Sequence, residues 1–273
     1  MTSNSHTTKM DNDNSFDLFN NLSNEKRIKI LNYLLNKKSN LSKISKEINQ
    51  SNQATLSHLN KLVNSGLIQK NLAGNYSVSE YGKSILIKNQ YVEFITKHKN
   101  FFKEHSFGDI PNFLLNCIGM LSKAEFVDGA VANFERWNKM IENANEFFYG
   151  IFTQTPHQTD VSLATKSAKG LKIKLIFGKN GLMSDYSALA KKLHFDKTSQ
   201  TTIERRISEL VFVNIMITEN YACVMFPDRK NQTDVGRTFL GTDNDFHQWC
   251  IEFFNHKWHD SVPFSRFRKF ELN

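Results

Sequence analysis

Apolar residues fall into three short helical periods in the first quarter of the chain. After Ser23 and Asn24, either of which can cap a helix, Ile28, Leu31, Leu34 and Leu35 recur at helical spacing. Leu41, Ile44 and Ile48 line one face of a shorter second segment, which Asn49, Gln50 and Ser51 interrupt. The third, Asn52 to Asn64, is expected to turn Leu56, Leu59, Leu62 and Val63 inward, leaving Gln53, Thr55, Ser57, His58 and Lys61 outward or at its edges; Ser65 and Gly66 then supply a left-handed stop. The period next drops to two. Leu67 to Lys70 and Tyr76 to Val78 alternate around the turn-forming run Asn71 to Asn75, which predicts a β-hairpin. From Ser79 a helical pattern resumes to about His105, with Ile85, Leu86, Tyr91, Val92, Phe94, Ile95 and Phe101 on its buried sides. A helix of that length needs a neighbour, either the rest of the chain or its own copy in a dimer.

Beyond Gly108-Asp109-Ile110-Pro111 helical and alternating stretches interleave, the texture of a mixed α/β domain. Helices are expected over Phe113–Leu121, Ala130–Ala144, Thr159–Lys169 and Leu182–Leu193. Phe147–Phe152 and Lys172–Phe177 read as strands joined by a crossover helix and therefore parallel; Glu204–Leu210 is a weaker strand. Phe212–Ile217 and Ala222–Phe226 flank a short turn as a hairpin, and Asp243 caps a last amphipathic helix carrying Phe246, Trp249, Phe253, Phe254 and Trp258.

The overall class is thus α/β, in four stretches. Residues 1–20 are polar, Asn-rich and without the apolar core of a signal peptide, and are expected to be a flexible tail. Residues 21–78 are expected to form three helices with a hairpin wing, 79–107 a long linker or dimerisation helix, and 108–273 a mixed α/β domain. A chain of 273 residues has room for these parts, and no run of apolar residues is long enough to span a bilayer. The formal charge of +8 favours a polyanionic partner. Between Asn21 and His105 there are fourteen Lys and Arg against five Asp and Glu, so this stretch accounts for the whole excess.

Helix, short helix, turn, helix and basic hairpin within about sixty residues is the layout that puts one helix into the major groove while a wing touches the adjacent backbone. The run Leu41 to Ile48 followed by Ser51 to Ile68 resembles the ArsR-type winged helix-turn-helix. That resemblance implies a dimeric regulator of double-stranded DNA. Asn52, Gln53, Thr55, Ser57 and His58 are the expected readers of base edges; Lys43, Lys61 and Lys70, with Lys46 and Asn75 beside them, suit phosphate contacts. The cysteine pairs through which ArsR relatives sense metals have no counterpart before Cys117, so metal sensing is not carried over and no cofactor is expected.

The second domain is similar to the C-terminal module of archaeal winged-helix regulators in the methanogenesis-regulator middle-domain family, itself similar to phospholipase D-like folds. The likeness lies in Asn138–Phe152, Gly170–Ile176, Ala222–Asp228 and Phe239–Asp243 leading into Phe246–Phe254. It implies an archaeal setting. The paired His and Lys two residues apart, with a following Asp, that phosphodiester chemistry of that kind needs is missing, as are GxSxG, HExxH, Walker and GxGxxG patterns. A non-enzymatic domain for ligand sensing or assembly is therefore expected. Thr153, Arg205, Arg206 and Arg237, near strand ends, are the expected contacts of an anionic small-molecule effector.

Cys117, Cys223 and Cys250 lie far apart among apolar neighbours, which suits buried thiols in a reducing cytoplasm. His256 and His259 stand three apart on an aromatic helix and read as structural rather than zinc-binding; Trp137, Trp249 and Trp258 read as core. The alternative to a site-specific regulator is a nucleoid-associated protein or an enzyme that uses the winged helix as an anchor.

Overall fold

The computed structural model describes residues 15–153, 163, 165–179 and 203–264, and the chain divides into two compact units, Met1–Asn89 and Gln90–Asn273. The division falls inside one helix, away from the boundaries expected after 78 and 107.

In the first unit α1 (Ser15–Leu22), α2 (Glu25–Leu35), α3 (Leu41–Glu47) and α4 (Asn52–Asn64) precede a two-stranded hairpin, β1 (Ile68–Lys70) and β2 (Tyr76–Val78). Each of α2, α3 and α4 starts on a side-chain cap. Asn24 accepts from the Arg27 amide at 3.1 Å, Asn40 from Lys43 at 3.1 Å and Ser51 from Ala54 at 3.2 Å, satisfying amides that have no partner within the helix. Asn49 takes φ +52° in the turn between α3 and α4, a conformation Asn tolerates better than most residues. Ile30, Leu31, Leu34, Ile44, Ile48, Leu59, Leu62, Leu67, Ile68, Tyr76, Val78 and Leu86 close over one core. Backbone bonds between Ser39 and Tyr76, 3.0 and 2.8 Å, fasten the hairpin to the loop before α3.

The expectation of a tail over residues 1–20 is corrected from Ser15 onwards, where α1 begins; residues 1–14 lie outside the described residues. Leu18 and Leu22 of α1 pack on the core, and the buried Arg27 donates to the Asn20 and Asn21 carbonyls at the end of α1. A guanidinium at that end meets carbonyls left without helical donors.

The helix expected from Ser79 to about His105 is two helices, α5 (Glu80–Lys97) and α6 (Lys99–Glu104), broken at His98. In the second unit these are followed by α7 (Asn112–Leu115), a 3₁₀ turn (Ile118–Leu121), β3 (Glu125–Asp128), α8 (Ala130–Asn143), β4 (Phe147–Phe152), β5 (Lys172–Gly178), β6 (Ile203–Ser208), β7 (Asn214–Thr218), β8 (Ala222–Met225), β9 (Arg237–Gly241), α9 (Asn244–Asp260) and β10 (Val262–Pro263). The eight strands form one sheet in the order β10-β6-β5-β4-β7-β8-β9-β3. β4, β5 and β6 run parallel, and every other neighbour pair is antiparallel. The crossover helix expected over Thr159–Lys169 is helical at 163 and 165–168 and ends in a turn at Lys169, while 159–162 and 164 lie outside the described residues, as does the helix expected over Leu182–Leu193.

Strand alternation divides the side chains between two cores. Ile151, Ile176, Ile215, Ile217, Val224 and Phe239 face α9, α6 and α7; Phe148, Ile173, Leu175, Met216, Cys223 and Leu240 face α8. Asp243 caps α9 as expected, accepting from the Phe246 amide at 3.3 Å. Among the described residues no helix is long and apolar enough to cross a membrane.

Candidate nucleic-acid interface

Phase decides which residues α4 shows. Leu59 and Leu62 are fully buried, and Thr55 joins them at 0% exposure. Gln53, Leu56, Ser57, Asn60, Lys61 and Asn64 are all exposed and recur at i, i+3, i+4, i+7, i+8 and i+11, so they form one continuous stripe. Thirteen residues make a rod about 20 Å long, of a width a major groove admits. Asn52 lies exposed in its first turn, and Lys43 and Lys46 are exposed on α3.

Three expectations are corrected. Thr55 is no reader of bases, because its hydroxyl is buried and donates to the Ser51 carbonyl at 2.9 Å. Leu56 and Val63, expected inside, are 37% and 36% exposed. Asn60 and Asn64 complete the stripe and were missed. Their signal was present in the spacing, but the leucine at 56 shifted the apparent phase of the helix.

No Asp or Glu occurs between Glu47 and Glu80, while Lys61 and Lys70 do, so α4 and the hairpin carry no anion to repel a phosphate. His58 is half-buried. Burial lowers its pKa first, and the charges of Arg27, Lys61 and Lys26 lower it further, so the ring is neutral near pH 7 and offers both a donor and an acceptor. On the hairpin Lys70 is exposed and reaches back over the Tyr76 ring at 5.5 Å. Asn75 is half-buried; its amide donates to Asn71 Oδ1 at 2.9 Å and its carbonyl accepts from the Asn71 amide at 2.9 Å, so its backbone builds the turn.

The four residues expected to hold an anion in the second unit do not converge. Arg205 and Arg206 sit on β6 and point to opposite faces of the sheet, in register with Leu175 and Ile176. Arg206 donates to the carbonyls of Trp258 at 2.9 Å and Ser261 at 3.0 Å and lies 4.7 Å from the Trp258 ring, which makes it a clasp for the end of α9. Arg237 is on β9, five strands from β6 and so roughly 24 Å away. Its guanidinium pairs with Glu104 at 2.8 Å and Asp128 at 3.5 Å; the Glu104 bond raises its pKa and, with the charge of Arg237, lowers that of Glu104.

Arg237 and Thr153 do border one place in the fold. Glu104, His105, Asp228, Gln232, Thr233, Asp234 and Arg237 line an open depression of about 420 Å³, and Thr153 Oγ1 lies 2.9 Å from Thr233 Oγ1 behind it. Its carboxylates outnumber its cations, contrary to an anion site. Nor does His105 have a nitrogen to spare as a general base: Nδ1 lies 2.9 Å from the Phe101 carbonyl and Nε2 3.0 Å from Asp234.

Among the described residues no group of His, Cys, Asp and Glu could hold a metal ion. His256 faces Asp260 at 3.7 Å and the Phe113 ring. Cys223 and Cys250 are buried as expected, burial pushing the Cys223 thiol up to about 12, whereas Cys117 is exposed on the polar link between α7 and the 3₁₀ turn. Trp137 and Trp249 are core residues, and Trp258 is half-buried.

Residues 24–70 match the family described as bacterial regulatory protein, arsR family, and are an ArsR-family helix-turn-helix domain. Among curated proteins none matches the chain. Similar solved structures include TrmBL2, described as an archaeal chromatin protein with a novel mode of DNA binding (14% identity, 87% of this chain and 92% of that one, TM-score 0.42). NolR from Sinorhizobium fredii is 23% identical over 32% of this chain and 90% of its own, TM-score 0.25. Reduced HlyU from Vibrio cholerae is 26% identical over 28% and 87%, TM-score 0.25. Scores this low carry no weight for function; the match over residues 24–70 does.

Proposed function

We propose that the chain is a sequence-specific regulator of transcription that binds double-stranded DNA, with α4 in the major groove and the hairpin as a wing on the flanking backbone. The observation that carries this reading is the exposed stripe of Gln53, Ser57, Asn60, Lys61 and Asn64 within an ArsR-family domain whose residues between Glu47 and Glu80 carry no acid. Amide and hydroxyl groups on such a stripe read base edges, and Lys43, Lys61 and Lys70 neutralise phosphates.

The second unit is a non-enzymatic regulatory domain that senses a ligand or mediates assembly. What supports this is the polar depression beside Arg237 and a His105 already committed on both nitrogens. The protein acts as a cytoplasmic homodimer, a reading supported within the first unit by the exposed apolar side chains of Phe19, Tyr81 and Ile87.

Selection of bound duplexes from sheared genomic DNA by the full chain at physiological salt tests the proposal. Enrichment of a two-fold-symmetric site is the expected result. Binding that ignores sequence and falls steeply with salt would replace it with a nucleoid-associated role, and turnover of the DNA would replace it with a tethered enzyme.

A further inference from the structure

Leu72, at the tip of the hairpin, is the most exposed large apolar residue among those described, at 110% against 77% for Phe16 and 74% for Val131. The turn that carries it is tightly built. The Asn71 amide donates to the Asn75 carbonyl at 2.9 Å, Gly74 to the Asn71 carbonyl at 3.0 Å, and the Asn75 amide to Asn71 Oδ1 at 2.9 Å; Gly74 adopts φ +77°, a region that favours glycine. Below the tip, Ile68, Tyr76 and Val78 are buried in the core, so the hairpin has no freedom to fold Leu72 back onto the domain. A fixed turn therefore holds an isobutyl group out in water with Asn71 and Ala73 beside it and Lys70 two residues behind.

We propose that Leu72 is a wedge that enters the minor groove and partly unstacks one base step, so that the protein binds a bent duplex. The inference rests on the DNA-binding reading above and adds to it how the duplex is deformed. Lys70, exposed at the end of β1, is placed to meet a phosphate ridge, and the turn carries Leu72 beyond the end of that strand. The groove beyond is about 6 Å wide, enough for one leucine side chain. The occupant is favoured by charge, since the stretch from Ile48 to Ser79 holds no carboxylate and a duplex presents phosphates on either side of the groove. Wedging apolar side chains between base pairs is a general means of kinking DNA, least costly at pyrimidine–purine steps, so Leu72 would add sequence preference at positions that α4 never touches.

The test uses the full chain and two 30-bp duplexes of the same mixed sequence with a donor and an acceptor fluorophore on opposite ends, one uninterrupted and one carrying a central two-nucleotide bulge that is already unstacked. The wild type is expected to shorten the end-to-end distance of the uninterrupted duplex and to prefer the bulged one by about fivefold or more. Leu72→Ala, which removes no contact within the domain, should bind the uninterrupted duplex within about threefold of wild type yet lose both bending and preference; Leu72→Phe should keep them. Lys70→Ala should weaken both duplexes alike. Bending and bulge preference unchanged in Leu72→Ala would overturn the wedge while leaving the DNA-binding reading in place. Failure of the wild type to bind either duplex even at low salt, where phosphate contacts alone hold any duplex, would overturn that reading itself. A Leu72→Ala protein that differs from wild type only in sedimentation would assign the tip to a contact between copies instead, and would likewise overturn the wedge.

Discussion

Asp109 and Lys257, 148 positions apart, form a nearly buried ion pair at 2.5 Å, with side chains 11% and 12% exposed. The same carboxylate accepts from the Phe212 and Val213 amides at 3.2 and 2.9 Å, and Lys257 also donates to the Leu210 carbonyl at 3.2 Å. One side chain thus ties the loop before α7, the loop before β7 and α9 together. Asp109→Ala leaves Lys257 with the Leu210 carbonyl alone and two amides without their acceptor, and is expected to cost about 1.5–3 kcal/mol. Urea denaturation of the full chain checks this; a loss under about 1 kcal/mol would mean that the loop finds other partners.

Thr55 and Ser57 stand two apart on α4 and are expected to fail in opposite ways. The Thr55 hydroxyl is buried, but its acceptor, the Ser51 carbonyl, keeps the Thr55 amide at 3.0 Å, so Thr55→Val should lose about 0.5–1.5 kcal/mol and leave DNA preference unchanged. Ser57→Ala should leave stability unchanged and reduce the preference for the selected duplex. Thermal melts beside competition binding separate the two, and a Thr55→Val protein that loses discrimination would return that residue to the interface.

These two residues also show what the sequence could and could not reveal. The ends of α4 were legible because Ser51 and Gly66 are strong local signals. Its phase was not, because Leu56 and Val63 are exposed and Thr55 is buried, each against its type. β3 was missed since Glu125-Phe126-Val127-Asp128 is a short, charged edge strand. One helix was expected over Phe113–Leu121, where the structure has α7 and a 3₁₀ turn separated at Asn116-Cys117. The arginines failed for a different reason: nearness to a strand end says nothing about which strands lie between, and β6 and β9 are separated by four.

His98 is packed against Phe94, Phe126 and Phe239, with no hydrogen-bond partner for Nε2. Burial lowers its pKa first and the charge of Lys97 adds to this, so the unfolded chain binds a proton more readily than the folded one. Stability is therefore expected to be level above about pH 6.5 and to fall as pH drops from there through the lowered folded value. His247 acts in the same sense, burial outweighing the Asn220 carbonyl and Asp243, so His98→Phe should flatten the slope without abolishing it. Urea melts across pH 5–8 read this out, and an identical slope in the variant would place the effect elsewhere.

The division of labour on the DNA side can be read from salt. Lys70 is exposed on the hairpin, and the proposed reading sets it against phosphate, which carries no sequence. Lys70→Ala should weaken all duplexes about equally and reduce the magnitude of the slope of log K against log salt by about one. The proposed reading sets Ser57 and the neutral His58 toward base edges instead, and a lost hydrogen bond to a base costs discrimination of about 1–3 kcal/mol while no counterion is involved. Ser57→Ala with His58→Ala should therefore reduce the ratio of selected to random duplex binding and keep the wild-type salt slope. The reverse pattern, specificity lost with Lys70 and slope lost with Ser57 and His58, would move base reading from α4 to the wing. Equal effects from both would mean that the stripe on α4 meets only the backbone.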